Sequence, residues 1–301
     1  MSTSGLATIR DYIRWAMRQF SQAQLFSSDD SGYMFEEARS LVLGSLHLPD
    51  ELSDKYLDCN LHADEHKVVQ AILRKRIEQR IPAAYLLGQI WFAGMLFKVD
   101  ERVMVPRSPL AELIALQFEP WLSAQPLRIL DLCSGSGCLG ILCALEFSGA
   151  QVILADVSSE ALQVAEDNIA LHQLAERVSA QRSDLLSELA GQRFDLIVCK
   201  PPYLAAAQRQ HLAPELQYEP ELSSVAGADG LDYIQRILTD ASEHLSAQGL
   251  LVLEVGPHRR ALIEHYPQLD FIWLEHSQAG TAVLALTAQQ CMDYRAQLKR
   301  R

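Results

Sequence analysis

Three acids stand where apolar runs give way to small residues. Asp131 sits in Arg128-Ile129-Leu130-Asp131-Leu132, which passes into Cys133-Ser134-Gly135-Ser136-Gly137. Asp156 ends Val152-Ile153-Leu154-Ala155-Asp156, and Asp184 follows Arg182-Ser183 and precedes Leu185. A loop of small residues after a buried strand lets the backbone approach a ligand, and the helix it opens offers free N–H groups. A carboxylate at the end of the next strand can accept hydrogen bonds from ribose hydroxyls. Asp184 can accept from an adenine amino group while Leu185 packs on the ring; a simple turn acid is the alternative. Gly135, Gly137 and Gly140 also fit G-x-G-x-x-G, whose dinucleotide version places a pyrophosphate at the helix start. Asp131 and the rest of the chain point away from that version. A fourth apolar run, Phe194 to Cys199, ends in Lys200-Pro201-Pro202-Tyr203. Two prolines and an aromatic ring just past a buried strand make a rigid corner.

The elements that must hold these residues alternate. Strands are expected at 128–133, 151–156, 178–182, 194–199, 250–255, 271–275 and 281–286, separated mostly by helical segments. Only His276-Ser277-Gln278-Ala279-Gly280 separate the last two. A parallel crossover needs about a dozen residues, so the last strand runs antiparallel to its predecessor if they pair. Ahead of the sheet, Ile9, Ile13, Ala16, Met17 and Phe20 repeat at helical spacing. A second helix carries Phe35, Ala38, Leu41 and Val42. A third starts after Asp64 as N-cap and buries Val68, Val69, Ile72 and Ile77. Its basic residues, Arg74, Lys75, Arg76 and Arg80, read as a solvated face, with contact to a partner or to RNA as the alternative. Gln89 to Phe92 and Leu96 to Val99 flank Ala93-Gly94-Met95 as a hairpin. The expected division is a helical domain over 1–81, a hairpin linker over 82–105 and a larger domain over 106–301. Residues 204–229 show little regular pattern, and a loop that long is usually functional.

The chain has 301 residues and a net charge of −12, which disfavours a tight grip on a long nucleic acid through its phosphates. No opening run reads as a signal peptide, and no apolar run is long enough to span a bilayer. The six cysteines form no C-x-x-C pair, so a zinc site is not expected. Cys133, Cys138 and Cys143 read as small fillers beside the glycine loop. A cytoplasmic protein with reduced thiols follows.

The sheet pattern resembles the seven-stranded Rossmann-like α/β fold of S-adenosylmethionine-dependent methyltransferases. That resemblance implies S-adenosylmethionine as cofactor. Asp131, Cys133, Ser134, Gly135, Ser136 and Gly137 would run past its methionine moiety, Asp156 would hold the ribose, and Ser183, Asp184 and Leu185 the adenine. Lys200-Pro201-Pro202-Tyr203 resembles the Asn-Pro-Pro-Tyr motif of enzymes that methylate planar amino groups. There the asparagine oxygen and the first proline carbonyl accept the two N–H bonds of the acceptor, and the aromatic ring supports it. Four further segments are similar to HemK-like protein-glutamine methyltransferases: Val105-Pro106-Arg107-Ser108-Pro109, Tyr218-Glu219-Pro220-Glu221-Leu222, Gly227-Ala228-Asp229-Gly230-Leu231 and Leu253-Glu254-Val255-Gly256. Arg107 and Glu254 are the expected substrate-binding residues. Pro-Arg-Ser-Pro followed by Glu112, with the stretch from Pro82 to Phe92, resembles the branch that modifies large-subunit ribosomal protein L-three. A basic ribosomal protein is then the expected partner, with the helical domain helping to choose it and no stable binding of DNA.

Lys200 departs from the motif. A protonated lysine has donors and no acceptor. Losing one acceptor costs ~1–3 kcal/mol. A cation about 5 Å from the sulfonium adds roughly 3 kcal/mol of repulsion at an effective dielectric near 20. Three explanations stay open at this level: an introduced change, a natural loss of function, or a lysine held neutral by burial and adopted for catalysis. Two competing functions stay open with them, an amino methyltransferase of DNA or RNA and a non-catalytic adenosylmethionine-binding protein.

Overall fold

The computed structural model describes residues 5–26, 31–122 and 124–298, so residues 1–4 and 299–301 of the expected domains lie outside it. The chain forms two compact units. One holds the residues through Gln89 together with Leu212–Tyr218; the other holds Ile90–His211 and the residues from Glu219 onward. The expected linker is therefore divided, with the hairpin almost wholly in the larger unit.

The first unit is a helical cluster. Helix α1 (Ile9–Gln22) is opened by Thr8, whose hydroxyl accepts from the Asp11 N–H while the Asp11 carboxylate accepts from the Thr8 N–H. Its apolar stripe of Ile9, Tyr12, Ile13, Ala16 and Phe20 is buried against Ala38, Leu41 and Val42 of α2 (Ser31–Ser45), although Phe35 of α2 is exposed. Helix α3 (Ala63–Glu78) begins two residues earlier than expected, with His62 as N-cap; Asp64 lies inside its first turn. There a carboxylate complements the helix dipole without capping it. Val69, Leu73 and Ile77 face the core, whereas Val68 is 48% exposed. A short α4 (Ala83–Leu87) follows Pro82.

The expected solvated basic face holds for Arg74 and Lys75 and fails for Arg76, which is 2% exposed. Its guanidinium lies 2.7 Å from Glu37 and 3.2 Å from Glu215, and Arg80 reaches the same Glu215 oxygen at 3.1 Å. The 212–218 segment thus folds with the helices, and Tyr218 donates to the Gln79 carbonyl at 2.6 Å. A buried guanidinium between two carboxylates is a locking element, because each charge is costly without the others. Burial pushes the Glu37 carboxyl up. Burial works the same way on Glu215, but backbone N–H groups and the two arginines outweigh it and hold that carboxyl low.

The second unit is a seven-stranded sheet with its own hairpin. The hairpin pairs β1 (Gln89–Phe92) with β2 (Met95–Lys98) across Ala93 and Gly94, both at positive φ. After α5 (Leu110–Ala115) come β3 (Arg128–Leu132), α6 (Cys138–Glu146), β4 (Gln151–Asp156), α7 (Ser159–Leu171), β5 (Val178–Arg182) and β6 (Phe194–Cys199). Then follow α8 (Asp232–Asp240), β7 (Leu245–Gly256), α9 (Arg259–His265), β8 (Ile272–Leu274), β9 (Ala282–Thr287) and α10 (Ala288–Leu298). The strand order is β5-β4-β3-β6-β7-β9-β8, and β9 runs antiparallel to both neighbours. The chain begins in the middle of the sheet, works to one edge, and returns to the other side at β6. That reversal places a crevice at the carboxyl ends of β3 and β6. Strand β7 starts five residues earlier than expected because Leu245 pairs with Phe194 across a register shift. One apolar cluster lies on each face of the sheet, led by Ile129, Val152 and Val198 on one side and by Leu130, Ile197 and Leu251 on the other.

Candidate active site

The carboxyl ends of β5, β4, β3 and β6 are adjacent, so the loops after them share one rim. They surround a cavity of about 320 Å³, large enough for a small-molecule ligand. Cys133, Ser134, Gly135, Ser136, Asp156, Ser183, Asp184, Leu185, Lys200, Pro202 and Arg107 all line it. Asp131, Gly137, Pro201, Tyr203 and Glu254 do not.

Asp131 lies beneath the glycine loop, 1% exposed, and accepts from the Gly140 N–H at 2.7 Å. It ties the helix start back to β3. Burial pushes its carboxyl up to about 7, and its Oδ1 has no hydrogen-bond partner among the described residues. Gly137, at φ +77°, faces the interior: a Cβ there would fall 2.6 Å from Leu154. This glycine serves the packing of α6 on β4. Asn168, fully buried on α7, fixes the loop from the other side. Its side chain donates to Ser136 O at 2.9 Å and exchanges two bonds with the Lys98 backbone, at 2.7 and 3.0 Å. Sequence reasoning missed Asn168; a polar residue on the apolar stripe of a helix was its only signal.

Asp156 accepts from the Gly135 N–H and the Ser158 N–H, each at 2.9 Å. These bonds aim the carboxylate, and burial raises its pKa. The helix cap beside it is Ser158, whose hydroxyl accepts from Ala161 N–H, so Asp156 is not needed as a cap. Ser183 is turned inward: its hydroxyl donates to the Leu185 carbonyl and meets Glu188 at 2.9 Å. Asp184 lies on the rim, where Arg236 of α8 takes one of its oxygens at 2.9 Å. Arg236 and Tyr233 also line the cavity, one helical turn apart and outside the motifs legible in the sequence.

The other end of the cavity is ionic. Lys200, 12% exposed at its side chain, donates from Nζ to the Arg107 carbonyl and lies 3.3 Å from Glu254 Oε1. Glu254, 1% exposed, also receives the Ser108 hydroxyl at 2.5 Å and the Tyr203 hydroxyl at 3.3 Å. It is a buried hub, not a surface on the cavity. Burial and the Glu254 charge push the Tyr203 phenol well above its ordinary value. The Tyr203 ring packs on Gly256, where a Cβ would fall 2.6 Å from a ring carbon, and the Tyr203 carbonyl accepts from His258 Nε2 at 2.7 Å. Arg107 lines the cavity, but its guanidinium forks onto Glu219 at 2.5 and 2.7 Å. Glu219 also accepts from the Val105 N–H at 3.2 Å, which fastens the Pro-Arg-Ser-Pro segment. No cluster of three or more His, Cys, Asp or Glu side chains arranged to hold a metal occurs among the described residues.

The residues suit an adenosyl sulfonium ligand. Asp156 is aimed at the cavity, the backbone at Gly135 leaves open space, and the buried Ser134 hydroxyl on the wall lacks a partner among the described residues.

Comparisons with known proteins agree with this geometry. Residues 116–217 match the family described as Methyltransferase small domain. The catalytic domain of hMettl16, in complex with hairpin 6 of the MAT2A 3'UTR, shares the fold at a TM-score of 0.52 and 14% identity, covering 75% of this chain and 82% of that one. A curated protein of Xanthomonas campestris pv. campestris, the ribosomal protein uL3 glutamine methyltransferase, is 43% identical over 97% of this chain and 95% of its own length. Its counterpart in Francisella tularensis subsp. tularensis is 40% identical over 99% of this chain and 95% of its own. At that identity over nearly the whole length, the chain belongs to the ribosomal protein uL3 glutamine methyltransferase family.

Proposed function

We propose that the chain binds S-adenosylmethionine in this cavity and transfers its methyl group to a glutamine side-chain nitrogen of ribosomal protein uL3. The observation that carries the reading is one cavity shared by the glycine loop, Asp156 and the Lys200-Pro202 corner, in a chain similar over nearly its full length to proteins of that activity. When bound, the sulfonium supplies a methyl already activated for in-line displacement. The protein's part is then to bind and position. Asp156 accepts from the ribose hydroxyls, Ser183, Asp184 and Leu185 form the adenine end, and the loop from Cys133 to Gly137 takes the methionine end. At the other end the Lys200–Pro202 corner receives the planar acceptor, with the Tyr203 ring beside it packed on Gly256. An amide nitrogen has its lone pair delocalised into the carbonyl, so orientation matters more than proton removal.

Lys200 sits where this chemistry asks for an acceptor, and turnover is slow for that reason. Glu254 alters the size of the effect. With a carboxylate 3.3 Å from Nζ, the repulsion expected from an isolated cation largely cancels, and the missing acceptor is what is left. The helical unit selects the basic partner protein, and the reaction takes place in the cytoplasm without stable DNA or membrane association; no described helix is long and apolar enough to cross a membrane. Purified uL3 incubated with the Lys200→Asn variant should gain one methyl on a glutamine, read by mass spectrometry. Methyl on release factors or DNA instead would overturn the choice of acceptor.

A further inference from the structure

The acceptor corner already holds the Lys200 amine. Its ammonium donates to the Arg107 carbonyl and meets Glu254 Oε1 at 3.3 Å. Two acceptors converging on one nitrogen are what a methyl acceptor needs for orientation. Lys200 also lines the same cavity as Ser136, Cys138 and Asp156, at the cofactor end. Only 12% of its side chain is exposed, so the amine is largely withheld from bulk solvent. We propose that Lys200 is itself a methyl acceptor, and that the chain methylates its own Lys200 Nζ. The inference rests on the reading that the cavity binds S-adenosylmethionine.

The chemistry balances with groups in place. The ammonium gives one proton to Glu254, which is close enough to take it directly. The freed lone pair, which in an amine is localised and in an amide is not, attacks the methyl carbon. The Nζ–C bond forms as the S–C bond breaks, and the S–C electron pair stays on sulfur, leaving a neutral thioether. The chain ends with a methylated ammonium at position 200 and one proton on Glu254. Intramolecular attack at a held nitrogen has a large advantage over a second protein competing for the same corner. The modification is therefore limited to the chain's own lysine and is stoichiometric, and it leaves the corner blocked by a bulkier group.

The test uses the full chain with methyl-labelled S-adenosylmethionine and no other protein. Trypsin releases residues 194–209 as one peptide with a single lysine, since the Lys200–Pro201 bond resists cleavage. Label should appear on Lys200 at a rate independent of chain concentration and be absent from Lys200→Arg. A second readout needs no turnover: calorimetric affinities for S-adenosylmethionine and for its demethylated thioether. Lys200→Met removes a cation and leaves Glu254 unneutralised, so the affinity ratio should shift toward the sulfonium by about tenfold or more if Nζ lies beside the reacting carbon. Thioether binding with Lys200 unmodified overturns the inference and leaves the cofactor reading intact. An unchanged affinity ratio, or a methylation rate that rises with chain concentration, also overturns it. Failure to bind either ligand overturns both readings.

Discussion

The two ends of the cavity are both built on buried carboxylates, and they neutralise them in different ways. At the glycine-loop end the hydrogen bonds to Asp131 and Asp156 among the described residues come from backbone N–H groups, including Gly140, Gly135 and Ser158. At the acceptor end Glu254 is paired with Lys200 and Glu219 with Arg107. A carboxylate held by backbone dipoles keeps lone pairs and charge for a ligand. One held by a cation has spent both inside the protein. The first end is thus poised for a ligand, and the second is closed on itself.

Removing the counter-charge at the closed end should give the largest effect. Glu254→Gln leaves the Lys200 ammonium buried without a carboxylate, a loss of about 3–5 kcal/mol in stability by denaturant unfolding. The same change made on Lys200→Asn should cost far less, because no cation is stranded there; the two sites are in contact and their effects are not additive. Equal costs in both backgrounds would show that Glu254 is satisfied by Ser108 and Tyr203 alone, and the contrast between the two ends would lose its basis.

Lys200→Asn restores an acceptor at the closed end. Because Glu254 already offsets most of the repulsion, the expected gain in methyl transfer is that of the acceptor, about 1–3 kcal/mol, or roughly five- to 150-fold. Single-turnover rates on uL3 measure it. An active parent and a dead asparagine variant would mean that the lysine has been adopted for transfer in trans.

What the sequence shows and what it hides follow the same line. The strands at 151–156 and 194–199 match the structure residue for residue, because a strand buried on both faces is a continuous apolar run bounded by polar residues; the edge strand at 178–182 matches as well, although only Val178 of it is buried. The antiparallel return of β9 was legible from chain length alone. Arg76 was not legible: on a helical wheel it is one more basic residue, and its burial depends on Glu215, 139 positions away. The same holds for the pairing of Arg107 with Glu219, 112 positions away, and for the bond from Ser108 to Glu254. Partners brought together by tertiary folding leave no periodic trace. Glu254 lay inside a recognisable segment, yet its burial under Tyr203 and Ser108 could be read only from the structure.

At the open end, Asp156→Ala removes a carboxylate aimed at the cavity. Affinity for S-adenosylmethionine and for its demethylated product should fall by about 1–3 kcal/mol each, as charge-assisted bonds to ribose are lost. Calorimetry reads both, and NAD should show no binding to either version. Wild-type affinity in the variant would contradict the ribose assignment and leave Asp156 as a brace for Gly135 and Ser158.

The smallest effect is expected at Asp131, where the comparison is sharpest because, among the described residues, this buried acid forms no ion pair. Its carboxyl is pushed by burial from 3.8 to about 7 in the folded chain. Between about pH 4 and pH 7 the folded state therefore binds more protons at this site than the unfolded state does. Stability from this group falls as pH rises through that window and is level above it. Asp131→Asn cannot ionise, so its unfolding free energy should decline less over the same range. The neutral amide oxygen still accepts from the Gly140 N–H, though more weakly than a carboxylate, and that loss works against the gain. At pH 8 the net difference should be on the order of 1 kcal/mol in favour of the variant. Denaturant unfolding across a pH series measures both slopes. Parallel curves would mean that the backbone N–H groups beneath the glycine loop solvate the Asp131 charge as well as water does, and that a buried carboxylate here needs neither a cation nor a proton.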